Sequence, residues 1–158
     1  MLTQQEALDL FEYKDGALYR KKGGAGFNAG LAGGIGAQGY FYLRVKGKKH
    51  KLHRVIYLMF HGVLPVQIDH IDGDPANNRI ENLRAATNAQ NCRNRKTKKT
   101  NTSGVKNVSW HKPLNKWRVQ IGVDNKIRHI GYFEDLDLAA FVASEHRDYY
   151  HGEFARHG

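Results

Sequence analysis

Cysteine is all but missing from this sequence of 158 residues, with Cys92 standing alone. A single thiol excludes an internal disulfide and a cysteine-rich zinc knuckle. Long apolar runs are missing too: nothing approaches the ~20 residues that a membrane-crossing helix needs. The opening MLTQQEALDLF has no basic start and no long apolar core, so neither anchor nor secretion signal is expected. Acidic residues are scarce, 15 against 25 lysines and arginines, which gives a formal net charge of +10. The expectation is a soluble cytoplasmic protein whose partners are polyanions, nucleic acid ahead of an anionic membrane. A hydrophobic content of 41% predicts a folded chain, and the length suits one ordinary domain or two small ones.

The acids are unevenly missing. None occurs between Glu81 and Asp124, a span that holds Arg84, Arg93, Arg95, Lys96, Lys98, Lys99 and Lys106. Its RNRKTKKTNTSG segment reads either as a solvated linker or as a stretch that tracks a phosphate backbone. Trp110 and Trp117 beyond it predict a second folded unit sharing the same ligand. Upstream, Thr3 and Glu6 make a capping box that opens a short helix through Phe11. ALYR reads as a strand. GGAGFNAGLAGGIGAQG lacks the Gly-Lys-Ser/Thr ending of a phosphate loop and is expected to be a mobile connector. YFYLRV and KHKLHRV predict a hairpin turning at Gly47, and HRVIYLMFHG has helical apolar spacing that ends at Gly62.

VQIDHIDGDPANNRIENL then gathers polar groups where an apolar segment should continue. VQIDHID alternates as a strand does, Gly73 and the following Asp-Pro supply turn chemistry, and NRIENLRAA reads as the return strand. Thr87 and Gln90 form a second capping box, predicting that TNAQNCRNR begins a helix. Strand, loop, strand and helix would bring Asp69, His70 and Asn91 together. Carboxylate and amide oxygens are hard ligands suited to Mg2+ or Mn2+, with no demand for zinc. A neutral imidazole beside them can take a proton from water, and these are the parts of metal-assisted phosphodiester hydrolysis. Taken singly, Asp69 reads as a turn or strand-end residue and His70 as a solvated surface histidine. Asp72, Asp74, Asn77 and Asn78 read as loop formers, Cys92 as a packed or idle thiol, and His53 with Arg54 as phosphate contacts or helix-start packing.

Residues 53–95, through HRVIYLMFHG, IDHIDGDPANNRIENL and TNAQN, resemble an HNH nuclease of the kind found in phage homing endonucleases. That resemblance implies a ββα-metal fold in which His70 is the general base, Asp69 and Asn91 ligate the divalent metal, and Asn82 buttresses the loop. Asn91 stands where some members carry a final histidine.

The remainder, SGVKNVSWHKPLNKWRVQIGVDNKIRHIGYF, reads as three short strands followed by a helix capped by Asp135 and ended by Gly152. Leu138, Ala139, Phe141, Val142, Glu145 and Tyr149 would face the sheet. The free sheet face carries, in one of two phases, candidates such as Lys106, Trp117, Arg118 and Arg128. Residues 101–156 resemble the three-stranded DNA-binding domain of plant ethylene-response factors, also found fused to phage HNH nucleases. By that resemblance Lys106, Ser109, His111, Trp117, Arg118, Gln120 and Arg128 would contact DNA, with Ser109 and His111 replacing arginines common in the plant proteins.

The expected architecture is therefore α+β: a nuclease module over 1–95 with its ββα-metal core at 53–95, a basic linker at 96–100, and a three-stranded antiparallel sheet plus helix over 101–158. The resemblances imply a site-preferring, Mg2+- or Mn2+-dependent endonuclease on double-stranded DNA. A monomer would nick one strand, and a dimer could cut both. The other reading from the same residues is a DNA-binding regulator with an idle HNH fold.

Overall fold

The computed structural model describes residues 2–23, 28–95, 97 and 100–157. The chain divides into two compact units, 1–88 and 89–158.

The first unit opens with α1 (Gln4–Leu10). Its capping box is formed: Glu6 N–H donates to Thr3 Oγ1 at 3.2 Å and Thr3 N–H to Glu6 Oε2 at 3.0 Å, so two of the helix's orphan donors are satisfied. β1 (Phe11–Lys14) and β2 (Ala17–Arg20) form a hairpin. β3 (Gly30–Leu31) adds to β2, and β4 (Gly34–Ile35) to β5 (Phe41–Val45), which pairs with β6 (Lys48–Lys51). The described part of the glycine-rich segment is thus built into two sheet edges, contrary to the expected connector; residues 24–27 lie outside the described residues. The physical reason is close backbone approach. Ala32 is buried and donates to Leu18 O at 2.7 Å, and a Cβ on Gly33, at φ +92°, would meet Tyr42 O at 2.6 Å.

α2 (Leu52–His61) places Leu52, Val55, Ile56 and Met59 on one buried stripe, and Gly62 ends it in the left-handed region with its N–H on Leu58 O at 2.9 Å. Phe11, Leu18 and Ile56 are the largest fully buried side chains of this core, each contributing about 1.5–3 kcal/mol by leaving water. β7 (Gln67–His70) and β8 (Leu83–Ala86) pair antiparallel, with Asp69 opposite Arg84 and His70 opposite Leu83.

α3 (Asn88–Arg93) follows β8 and falls with the second unit. β9 (Val108–His111), β10 (Lys116–Val123) and β11 (Lys126–Phe133) make an antiparallel sheet with β10 central. α4 (Leu136–His151) packs on one of its faces, and Asp135 caps it by accepting from Leu138 N–H at 2.7 Å. Of the expected stripe Ala139 is the buried member; the helix buries Ala139, Ala143, Arg147 and His151, at four-residue spacing. Leu138, Phe141, Glu145 and Tyr149 point to solvent. Two alanines let α4 lie close against Val108 and Val119 of the sheet, an approach that leucine and phenylalanine would hold apart. Among the described residues no helix is long and apolar enough to cross a membrane.

Candidate functional site

The β7–β8 hairpin presents Asp69 and His70 at the end of a strand, both buried. Their neighbours follow from the register. Opposite Asp69 stands Arg84, whose Nε and Nη2 donate to Asp69 Oδ2 at 2.9 and 2.8 Å. Two charge-assisted bonds on one oxygen fix the carboxylate's rotation. The loop of 71–82 is held by its own side chains. Asn82 Nδ2 donates to Asp72 Oδ1 at 2.9 Å and to Asn77 O at 2.8 Å, while its Oδ1 accepts from Asp72 N–H at 3.0 Å. Asp72 also accepts from Asp74 N–H at 2.8 Å and Asn77 Nδ2 at 2.7 Å. Burial works against ionisation of Asp72, yet these bonds hold its carboxyl below the usual range.

One member of that loop does more than form a turn. Asn78 is 3% exposed, and its Oδ1 lies 3.2 Å from His70 Nε2. Its Nδ2 donates to Ala76 O at 3.0 Å, which fixes which way the amide faces. Oδ1 must then accept, so His70 carries its proton on Nε2 and its lone pair on Nδ1. Burial pushes His70 below the ordinary imidazole value, opposed by the Asn78 bond and by Asp72, Asp69 and Asp74. A shift in that direction favours the neutral imidazole at pH 7. No local pattern marks Asn78 for this role, because the contact exists only once the loop has closed.

His53, at the start of α2, packs edge-on against His70 with ring centroids 4.9 Å apart. It is 4% exposed, and among the described residues its Nδ1 has no hydrogen-bond partner. Burial above all, then His70, Lys51 and Arg54, lowers its pKa from 6.5 to about 3. Its folded pKa lies below its unfolded one, so stability is full above pH 6.5 and falls as pH drops towards 3. The slope is about 1.4 kcal/mol per pH unit. His53→Phe is expected to flatten this limb in urea titrations run between pH 7 and pH 4; an unchanged limb would assign the acid sensitivity elsewhere. Arg54, a candidate DNA contact, instead donates to Pro65 O at 3.2 Å and Val66 O at 3.4 Å, tying α2 to the segment before β7.

In the second unit Asn91 lies half-buried on α3, and Cys92 beside it is an exposed free thiol. The C-terminal end of α3 is fastened by Lys106, whose Nζ donates to Arg93 O at 2.6 Å and Arg95 O at 2.8 Å. Burial, with Arg147 and Arg156 nearby, lowers this lysine to about 8. Lys106 therefore does not stand on the free sheet face as expected; it caps a helix. Arg93 pairs with Asp124 at 3.8 Å, and Arg95 is exposed. Lys96, Lys98 and Lys99 lie outside the described residues.

The sheet register decides the phase that alternation left open. Val108, Val119 and Ile121 are buried towards α4, so Ser109, His111, Lys116, Arg118 and Gln120 share the opposite face. Arg118 Nη2 donates to Ser109 Oγ at 3.3 Å across the strands. Trp117 turns the other way and packs into the core, its ring 4.9 Å from that of Trp110. Arg128 is also displaced from the free face. A bulge between Val119 and Gln120 shifts the pairing from Gly131 to His129, which reverses the alternation beyond it. Arg128 then pairs with Ile121 and lies over the Tyr150 ring of α4 at 5.3 Å. The same bulge brings His129 beside Tyr132, with ring centroids 4.5 Å apart, and His111 stands 4.9 Å from Tyr132 on the other side. Lys116, His129 and Tyr132 thus join the free face without having been expected there.

Among the described residues no group of three or more His, Cys, Asp or Glu side chains could hold a metal. Asp69 offers a carboxylate, a hard-oxygen donor of the kind taken by an ion such as Mg2+ that keeps several waters and binds one or two carboxylates.

Residues 50–93 match the HNH endonuclease family. Protein 3.8 of Escherichia phage T7 is 36% identical over 111 residues, covering 69% of this chain and 91% of that protein. An uncharacterized HNH endonuclease of Acanthamoeba polyphaga mimivirus is 34% identical over 127 residues, 77% of this chain and 63% of that protein's length. No solved structure matches. The chain carries an HNH endonuclease domain and belongs to the family that includes phage T7 Protein 3.8.

Proposed function

We propose that the chain is a divalent-metal-dependent DNA endonuclease, of site-preferring nicking or homing type, with the 89–158 unit as its recognition module. The observation that carries this reading is the Asn78–His70 bond beside a buried aspartate: it leaves a neutral imidazole with its basic lone pair on Nδ1.

In the proposed reaction His70 Nδ1 takes a proton from the attacking water. Asn78 holds the tautomer and Arg84 holds the Asp69 carboxylate in one orientation. Asn82 keeps the loop closed around Asp72 and Asn77. Asp69 and Asn91 would hold Mg2+ or Mn2+, which when bound supplies charge stabilisation at the scissile phosphate and the leaving oxygen. The free face of the C-terminal sheet, with Arg118, Gln120, Ser109 and His111, suits insertion into the major groove, and the basic segment of 93–99 suits backbone contact. One such histidine per chain predicts nicking by a monomer, and cutting of both strands only by two copies or two events.

The test is supercoiled plasmid incubated with Mg2+ or Mn2+. Relaxed product in either metal supports the enzyme; tight binding without cleavage in both would make the chain a DNA-binding regulator. Asn78→Ala is expected to slow single-turnover cleavage about 10- to 100-fold, the usual effect of losing a group that orients a reacting one, with DNA affinity in EDTA unchanged. Wild-type cleavage by this variant would remove Asn78 from the mechanism.

A further inference from the structure

From Ala17 to Ile68 the chain has no aspartate or glutamate and carries nine lysines and arginines. The first unit is therefore basic in its own right, apart from the basic segment that follows it. The fold concentrates part of this charge on one surface. In the β5–β6 hairpin Tyr42 pairs with Lys51 and Arg44 with Lys49. Leu43 and Val45, which alternate with Tyr42 and Arg44 on β5, are buried in the core, so these four residues share the outward face.

The face is arranged as alternating cations and rings. Lys49 Nζ lies 4.0 Å from the Tyr42 ring centroid and Lys51 Nζ 4.4 Å from that of Tyr40. Among the described residues neither lysine has an ion pair, while Glu6 is engaged by Lys46 of the turn. An ammonium held over a ring keeps donors for a further partner and has already lost much of the freedom that binding would otherwise remove. Tyr40 continues the row: its ring lies 5.6 Å from His53 and 6.0 Å from His70. The row of cations and rings thus ends at the imidazole of the candidate site.

We propose that the outward face of the β5–β6 hairpin, formed by Tyr40, Tyr42, Arg44, Lys49 and Lys51, is a second DNA-backbone site that carries duplex phosphates to His70. The direction of the track rests on the nuclease reading; the backbone contact does not. Side chains that face phosphates lower the salt dependence of binding when removed, by about 0.9 in the slope of log K against log salt for each phosphate neutralised.

The experiment is fluorescence anisotropy of the full chain on a labelled duplex in EDTA, between 50 and 200 mM salt (roughly the range over which such contacts are read). Lys49→Gln with Lys51→Gln is expected to reduce the slope by about 2 and each single change by about 1. Lys49→Arg with Lys51→Arg should keep the slope. Lys14→Gln, which removes an exposed lysine paired with Glu12 on β1, should also leave it unchanged. An unchanged slope in the double glutamine variant overturns the proposal, as does an equal loss in Lys14→Gln, which would reveal a general charge effect. Loss of binding to vesicles with anionic lipid, with the DNA slope intact, would assign the face to a membrane instead. Because no cleavage occurs in EDTA, a chain that proves unable to cut DNA leaves this result standing.

Discussion

His70→Ala is expected to reduce DNA cleavage by about 10³-fold, within the range that positioned acid–base groups supply, while leaving DNA affinity in EDTA unchanged. The expectation follows from where the proton sits. Asn78 accepts from Nε2 and is itself locked by Ala76 O, which puts the ring's lone pair on Nδ1, and the hairpin holds no second imidazole. His53 touches the same ring, but its burial and its acid-shifted pKa of about 3 make it too weak a base for that work. Single-turnover nicking of plasmid under saturating enzyme isolates the chemical step. If His70→Ala cleaves within tenfold of the parent chain, the general base lies elsewhere.

Asp69 is expected to show two separable losses. Asp69→Ala removes the carboxylate from a cross-strand pair in which Arg84 has a side chain only 14% exposed. Breaking such a pair costs about 3–5 kcal/mol, because the guanidinium stays buried without its counter-charge. Asp69→Asn keeps an oxygen for Arg84 and should recover most of that stability, as read by urea unfolding. Both variants should nevertheless lose cleavage by about 10³-fold, equivalent to several kcal/mol of transition-state stabilisation. A stable Asp69→Asn chain that cuts DNA at the parental rate would leave Asp69 as a structural partner of Arg84 and nothing more.

Much of the fold was legible because it is local. Thr3 and Glu6 are three residues apart and can only meet at a helix start; Gly47 and Gly62 stand where positive φ is required; the apolar spacing in HRVIYLMFHG is that of a helix. Errors arose where the deciding contact is distant. Hydrophobicity sets Leu138, Phe141 and Tyr149 beside Ala139 on the inner stripe of α4, yet Ala139 and Ala143, the smaller residues, are the ones that fit against the sheet. Arg128 is expected on the free face with Arg118, and one bulge turns it to the other side. Lys106 looked like one more cation in a basic tract, yet it caps the C-terminal end of α3.

The sequence by itself determined the order of elements, the strand-end pair of Asp69 and His70 with the polar loop after it, and the net charge of +10. These depend on residue type and on spacing within a few turns of chain. The tertiary structure decided which nitrogen of His70 bears the proton, which partner aligns Asp69, and which side chains of each sheet meet solvent. Such properties are set by pairing register and loop closure, where a shift of one residue turns a side chain to the opposite face. The free energy that selects the register comes from the buried face as a whole, and no short stretch of sequence contains it.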